Sequence, residues 1–199
     1  MSGDRYYITD QHATYFLTFT VVDWIDIFTK SVYKTIITDA LNYCSENKGW
    51  KIYAWVLMSN HLHLVVQTQS PFRMSDTMRD FKKFTSKKII EAIQQVPESR
   101  REWLLDKFSY HARCTGRAKD YKLWKDDNHA ICLDNATMTR QKIDYIHQNP
   151  VAAMIVANAE DYLLSSANVY AGSKQALVKL SLFDEDASVN SVAAKNDAY

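Results

Sequence analysis

The apolar positions of this chain fall into short stretches of two kinds. "TYFLTFTVVD" (residues 14–23) and "KIYAWVLM" (51–58) are brief and dense in β-branched and aromatic residues, which predicts strands. "HLHLVVQT" (61–68) opens in strict polar/apolar alternation and predicts a third. Only Ser59 and Asn60 separate it from the second strand, so the two predict a hairpin. "SVYKTIITDALNYCSENKGW" (31–50) instead carries apolar residues at helical spacing, with a serine to cap its start and Gly49 near its end. "MSDTMRDFKKFTSKKIIEAIQQV" (74–96) is amphipathic and helical, closed by Pro97. Further helices are expected over about 98–116 and 136–150, with Pro150 stopping the last. "HAICL" (129–133) predicts one more short strand.

Hairpin-linked strands with helices interspersed predict an α+β fold: a ferredoxin-like antiparallel sheet with helices packed on one face. Residues 1–172 are expected to form this domain. Residues 173–199 read as a polar, acidic and flexible C-terminal tail. No internal repeat and no Gly-rich phosphate loop is present in the sequence.

Composition supports a single core: 47% of the 199 residues are hydrophobic and 13% aromatic. Net charge is only +1, but its distribution is uneven. Residues 79–125 hold thirteen Lys and Arg against six Asp and Glu, whereas the end carries Asp184, Glu185, Asp186 and Asp197 against Lys195. A basic middle suits an anionic partner, although a solvated helical face has the same composition. Cys44, Cys114 and Cys132 are widely spaced and odd in number, which argues for free thiols rather than a disulfide framework or zinc ribbon. The N-terminus has no apolar signal core and no stretch reaches membrane-spanning length, so a soluble cytoplasmic protein is expected.

His61 and His63 stand two apart on the third predicted strand and therefore share a face, while Leu62 and Leu64 point the other way. Two imidazoles so placed make a chelate for one divalent metal; they also fit the exposed side of a half-buried strand. The remaining histidines, His12, His111, His129 and His147, are isolated and read as surface or cap residues. Tyr145 and Asn149 lie four apart on one face of the last helix. An amide oxygen beside imidazoles suits Mg²⁺ or Mn²⁺, and a phenol beside such a metal suits nucleophilic attack on a phosphodiester. The same spacing is satisfied by a core tyrosine and a helix-ending asparagine.

Together, "AWVLMSNHLHLVV", "IDYIHQNPV", "YFLTFTV" and the basic "MRDFKKFTSKKI" resemble the IS200-like single-tyrosine HUH transposases, in particular the REP-associated tyrosine transposase branch, over roughly residues 6–170. The resemblance implies the HUH endonuclease palm, with Tyr145 as catalytic nucleophile and His61, His63 and Asn149 as ligands of a divalent metal, Mg²⁺ or Mn²⁺. It implies cleavage of single-stranded DNA beside hairpins or palindromic repeats, through a 5′-phosphotyrosine intermediate, by a monomer or homodimer. Arg79, Lys82, Lys83, Lys87 and Lys88 would then contact single-stranded or hairpin DNA, and Phe81, Phe84, Trp103 and Trp124 are candidates for base stacking. The chain departs from the family pattern at Ser59, where many members have Pro, and at Ala153-Met154, where many have Gly; the second change is expected to alter the turn after the tyrosine helix. A catalytically silent hairpin-DNA-binding regulator with the same fold is the alternative. A small-molecule metallohydrolase fits less well, because acidic metal ligands are missing and the middle of the chain is basic.

Overall fold

The computed structural model describes residues 8–116 and 118–183. Strands β1 (Thr14–Thr20), β2 (Trp50–Leu57), β3 (His61–Thr68) and β4 (Ile131–Cys132) form one antiparallel sheet in the order β2-β3-β1-β4. Helix α1 (Ser31–Asn47) connects β1 to β2. Helices α2 (Met74–Gln95) and α3 (Arg101–Thr115) lie between β3 and β4, and α4 (Ala136–Ala152) and the short α5 (Ala167–Tyr170) follow. The protein is thus α+β, with the βαββαβ order of a ferredoxin-like fold plus one helix between β3 and β4.

Each strand divides its side chains between two cores. Leu62, Leu64 and Val66 of β3 join Leu17 and Phe19 of β1 and the apolar faces of α1 and α2 in the larger one. Phe16, Ala54, Val56 and Val65 face the other way and meet Ile143 and Ile146 of α4. The expected cover on one face is therefore corrected to cover on both. Tyr53 to Met58 and Leu64 to Val66 are continuous apolar runs, as strands buried on both faces require. In β2 the register shifts between Ile52 and Ala54, so Tyr53 and Ala54 both turn toward the second core. This bulge breaks the alternation that the sequence alone suggests.

Local predictions needed smaller corrections. Ser31 is the first helical residue of α1, not its cap; Lys30 takes that position without a side-chain hydrogen bond. Gly49 (φ +68) then ends the α1 segment, and a Cβ there would sit 2.8 Å from Phe72 and 3.0 Å from the Gln69 carbonyl. α4 does have a side-chain cap: Asn135 accepts from the Met138 amide at 2.8 Å. Pro150 does not stop α4, which runs two residues further; so near the end, the missing N–H removes only one ladder bond. Beyond it Met154 takes φ +56 and is 92% exposed, a left-handed position that favours glycine. β4 is shorter than expected because the chain before it meets β1 and the residue after it at separate points: Trp124 opposite Val21, the Lys125 amide to the Thr20 carbonyl at 2.8 Å and the Thr18 amide to the Asn128 carbonyl at 2.8 Å.

Residues 162–166 cover the outer edge of β2, with Leu57 and Trp55 exchanging backbone bonds with Leu164 and Ser166 at 2.9 Å. The chain after residue 172 is packed at first: Val178 is buried, and the Ser181 amide reaches the Ile52 carbonyl at 2.9 Å. The expectation of a loose tail thus does not apply to residues 173–183, and its acidic residues lie outside the described residues. His147, expected at the surface, is buried on α4. Its Nε2 is 2.8 Å from Ser166 Oγ, which also accepts from the Trp55 amide at 3.0 Å, so this ring fastens α4 to the edge of β2.

Two outcomes follow from this packing. Burial holds the His147 pKa down at about 4, so the unfolded chain takes up a proton near pH 6.5 that the folded chain refuses. Folding stability is expected to be full above pH 6.5 and to fall as pH drops toward 4; His147→Gln should flatten that slope in urea titrations at several pH values. Met154→Gly relieves a left-handed side chain at an exposed site and should raise stability by about 1 kcal/mol in the same assay.

Candidate active site

β3 presents His61 and His63 on the face toward α4, with ring centroids 4.7 Å apart. Register fixes their surroundings: His63 lies opposite Thr18 and His61 opposite Thr20 across the β1–β3 ladder. Nδ1 of His63 is 2.8 Å from Thr18 Oγ1, and its ring stacks on Phe16 at 5.2 Å. Nδ1 of His61 is 2.7 Å from Asn60 Oδ1. The Asn60 amide cannot be turned around, because its Nδ2 donates to the Trp24 carbonyl at 3.2 Å and to Asp26 Oδ1 at 3.0 Å. Oδ1 therefore accepts from His61, so Nδ1 carries the proton and the Nε2 side of the ring faces α4.

α4 supplies the facing groups. The Asn149 side chain hydrogen-bonds the His61 ring. Tyr145 is 49% exposed, and its ring stands edge-on to His63 at 5.5 Å and to Phe16 at 5.8 Å. Lys142, one turn earlier, places Nζ 4.9 Å over the Phe16 ring and 5.6 Å from the Tyr145 ring. Burial lowers the His61 pKa, partly opposed by its bond to Asn149. Burial likewise lowers that of His63 to about 3, with the charges of His61, Lys142 and His129 adding to the effect. Both rings are thus neutral at physiological pH, the form that ligates a metal.

His61, His63, Tyr145 and Asn149, more than eighty residues apart in the chain at the extremes, meet here on one chain. Among the described residues no three His, Cys, Asp or Glu side chains come together that suit a metal. Two neutral imidazoles and one amide oxygen could together hold a divalent cation here. Sequence reasoning missed Thr18, Asn60, Trp24 and Lys142. Asn60 adjoins His61 and Lys142 is one helical turn from Tyr145, so spacing would have found them; Thr18 needed the register.

The basic residues of α2 are not at this site. α2 packs on the opposite face of the sheet. Arg79, Lys82, Lys83 and Lys87 line a cleft of about 940 Å³ between α2 and residues 118–128, where Lys119 and Lys122 join them. Lys88 is outside that lining and pairs with Glu91 at 2.9 Å. Lys82 is largely enclosed: its Nζ donates to the Lys125 carbonyl at 2.6 Å and to Asn128 Oδ1 at 2.7 Å, and burial lowers its pKa to about 8. Of the aromatic candidates, Phe81 and Trp124 are core, while Phe84 and Trp103 are exposed. No helix among the described residues is long and apolar enough to cross a membrane.

The profile of the family described as "Transposase IS200 like" matches residues 11–149, a span that runs from before β1 to Asn149. The chain belongs to the IS200-like transposase family. Among solved structures it is similar in fold to a REP-associated tyrosine transposase bound to a REP hairpin, at 18% identity and a TM-score of 0.59, covering 93% of this chain and 96% of the other. A transposase-like protein from Deinococcus radiodurans also matches, at 15% identity and a TM-score of 0.43, over 75% of this chain and 97% of its own. A search of curated proteins finds no match.

If Asn60 and Thr18 orient the two imidazoles, their loss should weaken metal binding without unfolding the protein. Asn60→Ala and Thr18→Val are each expected to lower Mn²⁺ affinity about 10- to 100-fold by calorimetry, with the thermal midpoint little changed.

Proposed function

We propose that this IS200-like transposase nicks and rejoins single-stranded DNA beside hairpin or palindromic repeats. Tyr145 is its nucleophile, and His61, His63 and Asn149 hold a divalent metal, Mg²⁺ or Mn²⁺. The observation that carries this reading is the Tyr145 ring 5.5 Å from His63 on a helix whose next turn brings Asn149 onto His61. Bound there, the metal would supply Lewis-acid polarisation of the scissile phosphate. The tyrosine phenol, on a helix held against the sheet by His147, attacks the phosphorus and loses its proton to solvent. The bond to the preceding 3′ oxygen breaks and that oxygen takes up a proton from solvent, which leaves a 5′-phosphotyrosine and a free 3′-OH. Attack by a 3′-OH on that linkage reverses the step and rejoins strands. Lys142 is placed to face the charge of the phosphate. The solved relative's REP hairpin supports a hairpin as partner, and the cleft lined by Arg79, Lys83 and Lys87 is a basic surface where a stem's phosphates can be held. All four proposed site residues come from one chain, so the reading does not need a second copy.

The test uses labelled hairpin DNA with a single-stranded flank and Mn²⁺. The wild type should form a covalent adduct that survives denaturation. Tyr145→Phe should abolish it, and EDTA or His61→Ala should reduce it by at least about 100-fold. An adduct that persists in Tyr145→Phe rules out this nucleophile; a wild type that binds hairpins and never cuts favours the silent regulator.

A further inference from the structure

Trp24 is an exposed tryptophan that packing does not explain. It follows β1 in a tight turn where Asp23 (φ +51) and Trp24 (φ +55) are both left-handed, two consecutive non-glycine residues in a region such side chains avoid. The turn is held in several places. The Trp24 amide donates to the Val21 carbonyl at 3.1 Å, and its carbonyl accepts from Asn60 at 3.2 Å. The Asp23 carboxylate lies 2.9 Å from His111 Nε2 and 3.8 Å from Lys107 Nζ. Strain of this kind persists only where surrounding structure imposes it, and it gathers at functional sites.

The side chain gains little from burial in return. It is 55% exposed, against 50% and 47% for Phe84 and Trp103. Its ring stands edge-on to His61 at 5.9 Å, and Lys125 Nζ is 4.5 Å over it. Lys125 belongs to the segment that Lys82 ties to α2, so the cation is held there from the far side of the sheet. An exposed indole, a cation and the metal-facing histidine are thus set side by side.

We infer that Trp24 and Lys125 form a binding site for one unpaired nucleotide next to the scissile phosphate, the base stacking on the indole and its phosphate meeting the ammonium. An indole accepts any base on its π-face, so the site grips single strands without reading sequence. This inference rests on the proposed reading that single-stranded DNA passes His61. It adds a contact to the unpaired flank that is distinct from the basic cleft for the stem.

Two probes separate the contributions: a DNA hairpin with a single-stranded flank of a few thymidines, and the same hairpin with blunt ends. Trp24→Ala should lower affinity for the flanked hairpin about tenfold and leave the blunt one unchanged. Trp24→Phe should retain most of the affinity, and the thymidine-dependent quenching of tryptophan fluorescence should disappear in both variants, because both lack the indole. The inference is overturned if Trp24→Ala binds the flanked hairpin as the wild type does, if both hairpins weaken equally, or if the wild type binds the two hairpins alike. A wild type that prefers the flank but forms no tyrosine adduct defeats the nuclease reading and leaves the Trp24 comparison standing.

Discussion

The whole site depends on β3 being buried on both faces while lying at the centre of the sheet. Leu62, Leu64 and Val66 lock one face into the main core, which fixes the direction of His61 and His63 to the other. A slip of one residue would put leucines toward α4 and imidazoles into hydrocarbon, so the register is held by several kilocalories of apolar burial rather than by the histidines themselves. Side chains carried this way need little reorganisation to meet a ligand, because their backbone is set by the core.

The second layer is smaller and carries the candidate site. α4 rests on Phe16, Val56 and Val65 through Ile143 and Ile146, and His147 pins it laterally to Ser166. Six helical positions therefore have separate duties. Ile143 and Ile146 bury, His147 anchors, and Tyr145 and Asn149 face the imidazoles while Lys142 stands beside them. The cover is incomplete at the His61 end, where Trp24 and the edge segment bearing Lys125 take over and leave the surface open. An enclosed site would exclude a polymer; this one is bounded on one side by apolar packing and on the other by an aromatic ring and cations.

The charge pattern was the least direct guide to function. The lysines of α2 stand out in the sequence, yet the sheet lies between them and the histidines. Lys82 shows why composition misleads: its ammonium is used inside the protein, on a carbonyl and an amide. Lys142, outside the basic stretch, and Lys125, at its very end, are the cations beside Tyr145 and Trp24. Which lysine serves a ligand depends on where its helix or edge strand docks, and no local pattern contains that.

What the chain determines by itself is local and periodic. Alternation along residues 61–66 sets which side chains share a face, helical spacing pairs Tyr145 with Asn149, and β-branched runs make the central strands. These are properties of neighbours in sequence, so they can be read from it. The tertiary structure decided the rest: that both sheet faces are covered, that a bulge at Tyr53 resets β2, that Thr18 lies against His63, and that α4 docks with Tyr145 beside that histidine. It also decided that Trp24 stands exposed in a strained turn next to His61. Each of these depends on register or on helix docking, where many weak apolar contacts across distant segments must be satisfied together.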